Sequence, residues 1–328
     1  VSDGAKSQRR AFVTGIGGQD GSYLAELLLA QGCEVHGLVR SLPSPLSSAS
    51  TRPPYVPEAV RLHVGDVTDH DATRALLAEI APREVYHLAA MSSVARSWAE
   101  PELAREVNAD AAIALLEAVA EMDAVGHDIR FVQASSAEIF GAPSVSPQDE
   151  STPIAPTNPY GEAKAAAHLA VGEARAQGVH ASSLVLYNHE SPRRPLAFVT
   201  RKITRGVAAI ARGEASELVL GNLDARRDWG WAPDYVDALV RAAGAESADD
   251  YVIATGVGHS VREFVAAAFA AAGIDDWEHL VRVDPEFFRP VDATELVGDA
   301  SRARQALGWA PTVAFTDVVA RMVAADLG

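Results

Sequence analysis

From Ala11 onward the chain alternates short apolar runs with stretches in which apolar residues return every three or four positions. Short apolar runs have the length of buried strands, and the wider spacing is that of one helix face. Strands are predicted over Ala11 to Thr14, Val35 to Val39, Val60 to Val64, Val85 to Leu88 and Ile129 to Ala134, with helices between most of them. Leu24, Leu27 and Leu28 mark the first helix, directly after a glycine-rich turn. Such alternation specifies an α/β fold, a Rossmann-type doubly wound parallel sheet, because parallel neighbours need a crossover and the crossover helix covers a sheet face.

After about Tyr187 the rhythm becomes irregular. Amphipathic helices are predicted near Phe198 to Arg212, Val261 to Ala272 and Phe315 to Ala325, and short strands near Leu218 and Val252. The expected organisation is a flexible arm over 1–10, a Rossmann domain over 11–187, and a smaller mixed α/β lobe over 188–328 with some segments returning to the Rossmann domain. Residues 41–57, rich in Ser and Pro, read as a surface loop.

Composition narrows the functional classes. Hydrophobic residues make up 48% and charged residues 22% of 328, which is enough for a sizeable core. A net charge of −16 opposes nucleic-acid and anionic-membrane partners, so any phosphate site must be built locally. A single cysteine, Cys33, has no intramolecular partner and reads as core packing. The opening VSDGAKSQRR carries no signal-peptide stretch, and no segment reaches the roughly 20 apolar residues of a membrane span. The expectation is a cytoplasmic protein, without a metal.

The candidate chemistry begins at Gly15, Gly18 and Gly21, spaced GxxGxxG between the first strand and the first helix. Glycines there permit a tight turn and let backbone N–H groups approach a pyrophosphate at the positive end of the helix dipole. The expected dinucleotide contacts take in Gln19, Asp20, Val67 and Leu88, with Asp66 after the third strand meeting the adenine. Where an NAD site would carry an acidic residue, at the end of the second strand, stands Arg40, which favours the 2′-phosphate of NADP.

Tyr160 and Lys164 are one helical turn apart, so both project from one face. A phenol, with an ordinary pKa of about 10, becomes a usable base when an adjacent ammonium stabilises its phenolate. Ser136, just past the fifth strand, can hydrogen-bond a substrate hydroxyl being oxidised; Ser135 is the alternative for that role. Glu138 follows two residues later, on the same turn. Oxidation at position 4 of a sugar acidifies the hydrogen at position 5, and a carboxylate there can remove it and then help expel a hydroxyl from position 6.

With these residues in place, the chain resembles the GDP-mannose 4,6-dehydratases of the extended short-chain dehydrogenase/reductase type, from Ala11 almost to the C-terminus. The resemblance is most specific in NHESPRR at 188–194, FVTRKI at 198–203, GNLDARRDWG at 221–230, IATGVGHSVREF at 253–264 and FFRP at 287–290. It implies GDP-mannose as substrate and a tightly held NADP, with Ser136, Glu138, Tyr160 and Lys164 catalytic. It implies substrate contacts from Ser92, Asn188, Arg194, Val199, Lys202, Arg227 and Arg289, whose cations would gather positive charge within an acidic protein. It also implies a homo-oligomer, a dimer through the helices near Leu103 to Met122 and Tyr160 to Gln177, or a tetramer.

This sequence departs from the family pattern in places. Ser136 stands for the usual threonine and keeps the hydroxyl. Glu162 replaces a small or apolar residue and faces away from Tyr160. Met91 and Ser93 replace glutamine and histidine, leaving Ser92 as the polar group there, and the 41–57 loop lacks a second arginine and an SSSFNT-like run. Alternative activities on the same fold are a GDP-4-keto-6-deoxymannose reductase and a sugar-nucleotide epimerase. A non-catalytic NADP-binding regulator is a third reading, which the intact Ser136, Tyr160 and Lys164 disfavour.

Overall fold

A computed structural model describes residues 9–42, 52–287 and 295–328. Most of the predicted N-terminal arm, most of the 41–57 loop and Arg289 lie outside the described residues. The strands are β1 (Arg10–Thr14), β2 (Glu34–Val39), β3 (Arg61–Val64), β4 (Glu84–His87), β5 (Arg130–Ala134), β6 (Ala181–Leu186), β7 (Asn188–Glu190), β8 (Leu218–Leu220), β9 (Arg226–Trp231), β10 (Asp250–Ile253), β11 (Gly258–Ser260), β12 (Val281–Val283) and β13 (Glu295–Leu296). The helices are α1 (Gln19–Ala30), α2 (His70–Ile80), α3 (Val94–Ala99), α4 (Pro101–Arg105), α5 (Ala111–Ala124), α6 (Pro159–Ala176), α7 (Val199–Ala211), α8 (Ala232–Gly244), α9 (Val261–Ala271), α10 (Ser301–Leu307) and α11 (Phe315–Leu327).

Seven strands form one sheet in the order β10-β6-β5-β4-β1-β2-β3. The pairs β1–β2, β1–β4, β2–β3, β4–β5 and β5–β6 are parallel, so the sheet is the Rossmann type that the alternation specifies. The strand expected near Val252 is β10, which returns to this sheet as an outer strand. The chain divides into two compact units. One comprises Val1–Ser135, Pro159–Leu184 and Val236–Asp250; the other comprises Ser136–Asn158, Val185–Tyr235 and Tyr251–Gly328.

In the first unit, the sheet's register builds two cross-strand rows on one face. Phe12, Val85, Phe131 and Ala181 are register partners and join Leu115, Val119 and Val171 in an apolar cluster. One pleat toward the C-terminal edge, the register partners are Thr14, His87, Gln133 and Ser183, all buried and all polar. The helix expected across Leu103 to Met122 is interrupted: a π-helical segment, Glu106–Asp110, separates α4 from α5. Asn108 in that segment donates to the Met91 carbonyl at 3.1 Å and accepts from the Met91 N–H at 2.7 Å, fixing the backbone after β4.

In the second unit, β9 is the hub. It pairs with β7 and β13 in parallel and with β11 in antiparallel. α7, α9 and α11 cover an apolar cluster that includes Trp229, Phe264, Phe269, Val319 and Met322. Asp228, fully buried on β9, accepts from the Thr255 N–H and hydroxyl and the Gly256 N–H, at 2.9, 2.6 and 2.8 Å, which ties the segment after β10 to this hub. Among the described residues no helix is long and apolar enough to cross a membrane.

Candidate active site

The cofactor loop is set by what a side chain would strike. Gly15 has φ +71, and a Cβ there would lie 2.7 Å from the Ala89 backbone nitrogen and 2.8 Å from the Leu88 carbonyl carbon. Only glycine meets both conditions without strain. Gly18 caps α1, its N–H bonded to the Gly15 carbonyl at 3.0 Å and with no side-chain cap hydrogen bond, so the first turn offers the positive end of its dipole at the loop. Gly21, in that first turn, packs its α-carbon against the Gly15 carbonyl and Ile16 backbone. This close, side-chain-free cradle at a helix N-terminus fits a dinucleotide pyrophosphate.

The other predicted cofactor residues surround that loop in the same unit. Gln19 is buried and donates to Asp20 Oδ1 at 3.0 Å. Arg40 is exposed directly after β2. Asp66 is also exposed and accepts from the Thr68 N–H and hydroxyl at 3.1 and 3.0 Å, a turn at the strand end. Val67 is buried below it, and Leu88 adjoins Gly15.

Tyr160 and Lys164 lie in the first two turns of α6, with Lys164 Nζ 6.0 Å from the Tyr160 ring centroid. Lys164 is 3% exposed and donates to the Ala134 carbonyl at 2.9 Å. Burial pulls its pKa down to about 8, with Asp20 acting weakly in the opposite direction. The Tyr160 N–H donates to Ser97 Oγ at 3.2 Å, which seats the first turn of α6 on α3. Below Lys164, His87 receives or gives a hydrogen bond with the Thr14 hydroxyl at 2.9 Å, and complete burial lowers its pKa to about 3, so it stays neutral. Glu162 is exposed on the far side of α6, as its position relative to Tyr160 requires. Ser92 is exposed, and Ser93 caps α3 by accepting from the Arg96 N–H at 3.2 Å.

Ser136 and Glu138 belong to the second unit, in and before a 3-10 turn, Ala137–Phe140. Ser136 Oγ accepts from the Glu138 N–H at 3.3 Å, which leaves its own hydroxyl proton to donate elsewhere. Ser135, by contrast, is 4% exposed and its hydroxyl has no partner among the described residues. Glu138 is only partly buried, and its Oε2 accepts from Asn158 Nδ2 at 2.8 Å. Asn158 and Ser97, which bond Glu138 and the Tyr160 N–H, are contacts that sequence reasoning missed. Asn158 carries a helix-cap signature, two residues before Tyr160, which conceals its bond to Glu138.

The predicted substrate residues of this unit cluster around β7, β9 and the start of α7. Asn188 on β7 pairs in register with Trp229, two residues beyond Arg227 on β9. Arg227 is buried and donates to the Arg226 carbonyl at 2.7 Å. Val199 and Lys202 share the first turn of α7, Val199 exposed and Lys202 partly buried. Arg194 lies over the Phe198 ring at 3.8 Å and 3.3 Å from Glu190 Oε2. Among the described residues no group of three or more His, Cys, Asp and Glu is placed to hold a metal ion.

A parallel doubly wound sheet, a glycine cradle at the first helix and a Tyr-xxx-Lys helix define a short-chain dehydrogenase/reductase. The profile of the GDP-mannose 4,6 dehydratase family matches residues 12–322, and the chain belongs to that family. GDP-mannose 4,6 dehydratase 1 of Arabidopsis thaliana is 45% identical over 333 residues, covering 99% of this chain and 92% of that protein. The GDP-mannose 4,6-dehydratase of Vibrio cholerae is 40% identical over 355 residues, covering 98% and 94%. Among solved structures, UDP-glucose 4-epimerase of Thermus thermophilus, in complex with NAD, aligns with a TM-score of 0.81 at 27% identity, covering 97% of this chain and 99% of that one.

Proposed function

We propose that this protein removes water from GDP-mannose to give GDP-4-keto-6-deoxymannose, using NADP. A nicotinamide dinucleotide is the coarser statement that the family and the glycine cradle support; the preference for NADP rests on Arg40, a guanidinium at the position where an acidic residue would select NAD. Held at the Gly15, Gly18 and Gly21 cradle, the dinucleotide would supply the hydride-transfer chemistry that links positions 4 and 6. The residues of the chain manage the protons.

Ser136 holds the 4-hydroxyl and Tyr160 removes its proton, its phenolate stabilised by the Lys164 ammonium. The new ketone at position 4 acidifies position 5. Glu138, oriented by Asn158, takes that proton and delivers it to the 6-hydroxyl, which leaves as water. The protons balance, because the one removed from the 4-hydroxyl replaces, directly or through solvent, the one that position 5 gives up. Asn188, Arg194, Val199, Lys202, Arg227, Arg289 and Ser92 supply the substrate contacts, the cations meeting the diphosphate.

The observation that carries the reading is Glu138. It stands two residues past the hydroxyl that holds the oxidised oxygen, and its carboxylate is fixed by a side-chain donor. The test is incubation with GDP-mannose and NADP followed by mass analysis. Loss of one water supports the reading; an epimerised or merely oxidised sugar overturns it.

A further inference from the structure

Arg194 is mostly buried, yet its charge is only half answered. Its Nε lies 3.3 Å from Glu190 Oε2 at an angle that makes no hydrogen bond. Its terminal nitrogens have no hydrogen-bond partner among the described side chains, and 15% of the side chain is exposed. Nε is buried with no acceptor, which is costly because an unpaired buried donor forfeits its hydration, while the terminal amino groups hold what exposure the side chain retains. The fork is nevertheless held firmly. Its Cζ lies 3.8 Å from the centroid of the Phe198 ring, and a guanidinium stacked on an aromatic face donates within its own plane, outward from the ring. The partner carboxylate is firmer still: Glu190 is 1% exposed and accepts from the Thr200 hydroxyl at 2.6 Å.

We infer that Glu190, Thr200 and Phe198 are positioning residues that present the open fork of Arg194 to a diphosphate. This rests on the proposed reading and deepens it. Glu190 offsets the cost of burying the cation, Thr200 fixes the carboxylate from the first turn of α7, and Phe198 fixes the plane. The two terminal amino groups then match two non-bridging oxygens, a bidentate geometry that a flexible surface arginine reaches only at an entropic cost. Sugar nucleotides and dinucleotides both carry a diphosphate, and the shared chemistry is what the fork recognises.

Titrations with GDP alone and with NADP alone, on Glu190→Gln, Thr200→Val and Arg194→Gln proteins, test the inference and distinguish the two sources. Arg194→Gln is expected to weaken one of the two ligands by roughly a hundredfold, the scale of a charge-assisted bidentate contact. Glu190→Gln should weaken the same ligand by roughly tenfold and leave the other within twofold. In the double variant the two effects should fall short of additive, because Glu190 acts only through Arg194. If GDP is the ligand, KM for GDP-mannose rises by more than kcat falls. A merely structural Glu190 would lower the melting temperature without shifting either dissociation constant, and that result overturns the inference. Should Glu190→Gln fail to fold, Thr200→Val decides the matter, with a severalfold weakening expected and none overturning it. Tight binding of both ligands without water loss from GDP-mannose would sink the proposed reaction and leave the inference standing.

Discussion

Asn158 donates its amide to the carboxylate of Glu138 at 2.8 Å, across 20 residues of chain, and this bond orients the group proposed to serve as the base of elimination. In Glu138→Gln the amide cannot take a proton from position 5, while Tyr160, Lys164 and Ser136 still support oxidation at position 4. Water loss should fall by about 10²–10⁴, the typical contribution of a positioned acid–base group. Reduced cofactor should then accumulate in the absorbance record, where the wild type should show none. Asn158→Ala should cost roughly tenfold in the same assay, since the base survives but is less well aimed. Dehydration by Glu138→Gln at the wild-type rate would remove Glu138 from the mechanism.

Lys164 yields a pH prediction with a definite sign. Its folded pKa of about 8 lies below the ordinary 10.5, so between those values the unfolded chain binds more protons and stability rises with pH. Measured by urea unfolding, the stability deficit of the wild type relative to Lys164→Met should shrink from pH 7.5 to pH 10. Activity should move the other way, kcat/KM falling above about pH 8 as the ammonium that supports the Tyr160 phenolate is lost. Tyr160→Phe should abolish both oxidation and elimination at every pH.

Arg40 is exposed at the end of β2, so its removal should not disturb folding. In Arg40→Ser the preference for NADP over NAD should shrink by roughly tenfold to a hundredfold, the value of a charge-assisted phosphate contact. Cofactor titrations of stripped protein provide the measurement. Equal affinity of the wild type for both dinucleotides would refute the preference.

Gly15→Ala combines a positive φ with a Cβ pressed onto the Ala89 backbone. The conformation alone costs roughly 1–2 kcal/mol, and the backbone cannot retreat as a side chain would. A lower melting temperature and loss of dinucleotide binding are expected together. Light scattering at micromolar concentration tests self-association: a dimer is expected, and Leu169→Arg on the exposed face of α6 should shift it toward monomer.

The parallel sheet was legible because β1, β2, β4 and β5 are short apolar runs with glycine or polar punctuation, and each lies within a residue or two of its predicted bounds. The ASSLVL run of β6 places two serines before its apolar end and gives a weaker signal. The π-helical segment at 106–110 is invisible to periodicity, since Asn108 is held there by contacts with Met91, 17 residues earlier. The candidate site shows the same division. Glycine spacing and the Tyr160–Lys164 turn are local patterns, whereas Asn158 on Glu138, 20 residues apart, depends on how loops fold back, which spacing does not encode.

The two rows of the sheet give the enzyme a separation between what keeps it folded and what can change. Phe12, Val85, Phe131 and Ala181 form a dry lower rung, while Thr14, His87, Gln133 and Ser183 form a polar upper rung beside Lys164. An exchange on the lower rung opens a cavity costing roughly 2–5 kcal/mol and threatens the whole domain. An exchange of polar groups on the upper rung alters hydrogen bonding around Lys164 while leaving the hydrophobic foundation in place. A sheet layered in this way lets one scaffold acquire new chemistry at its rim without renegotiating its stability.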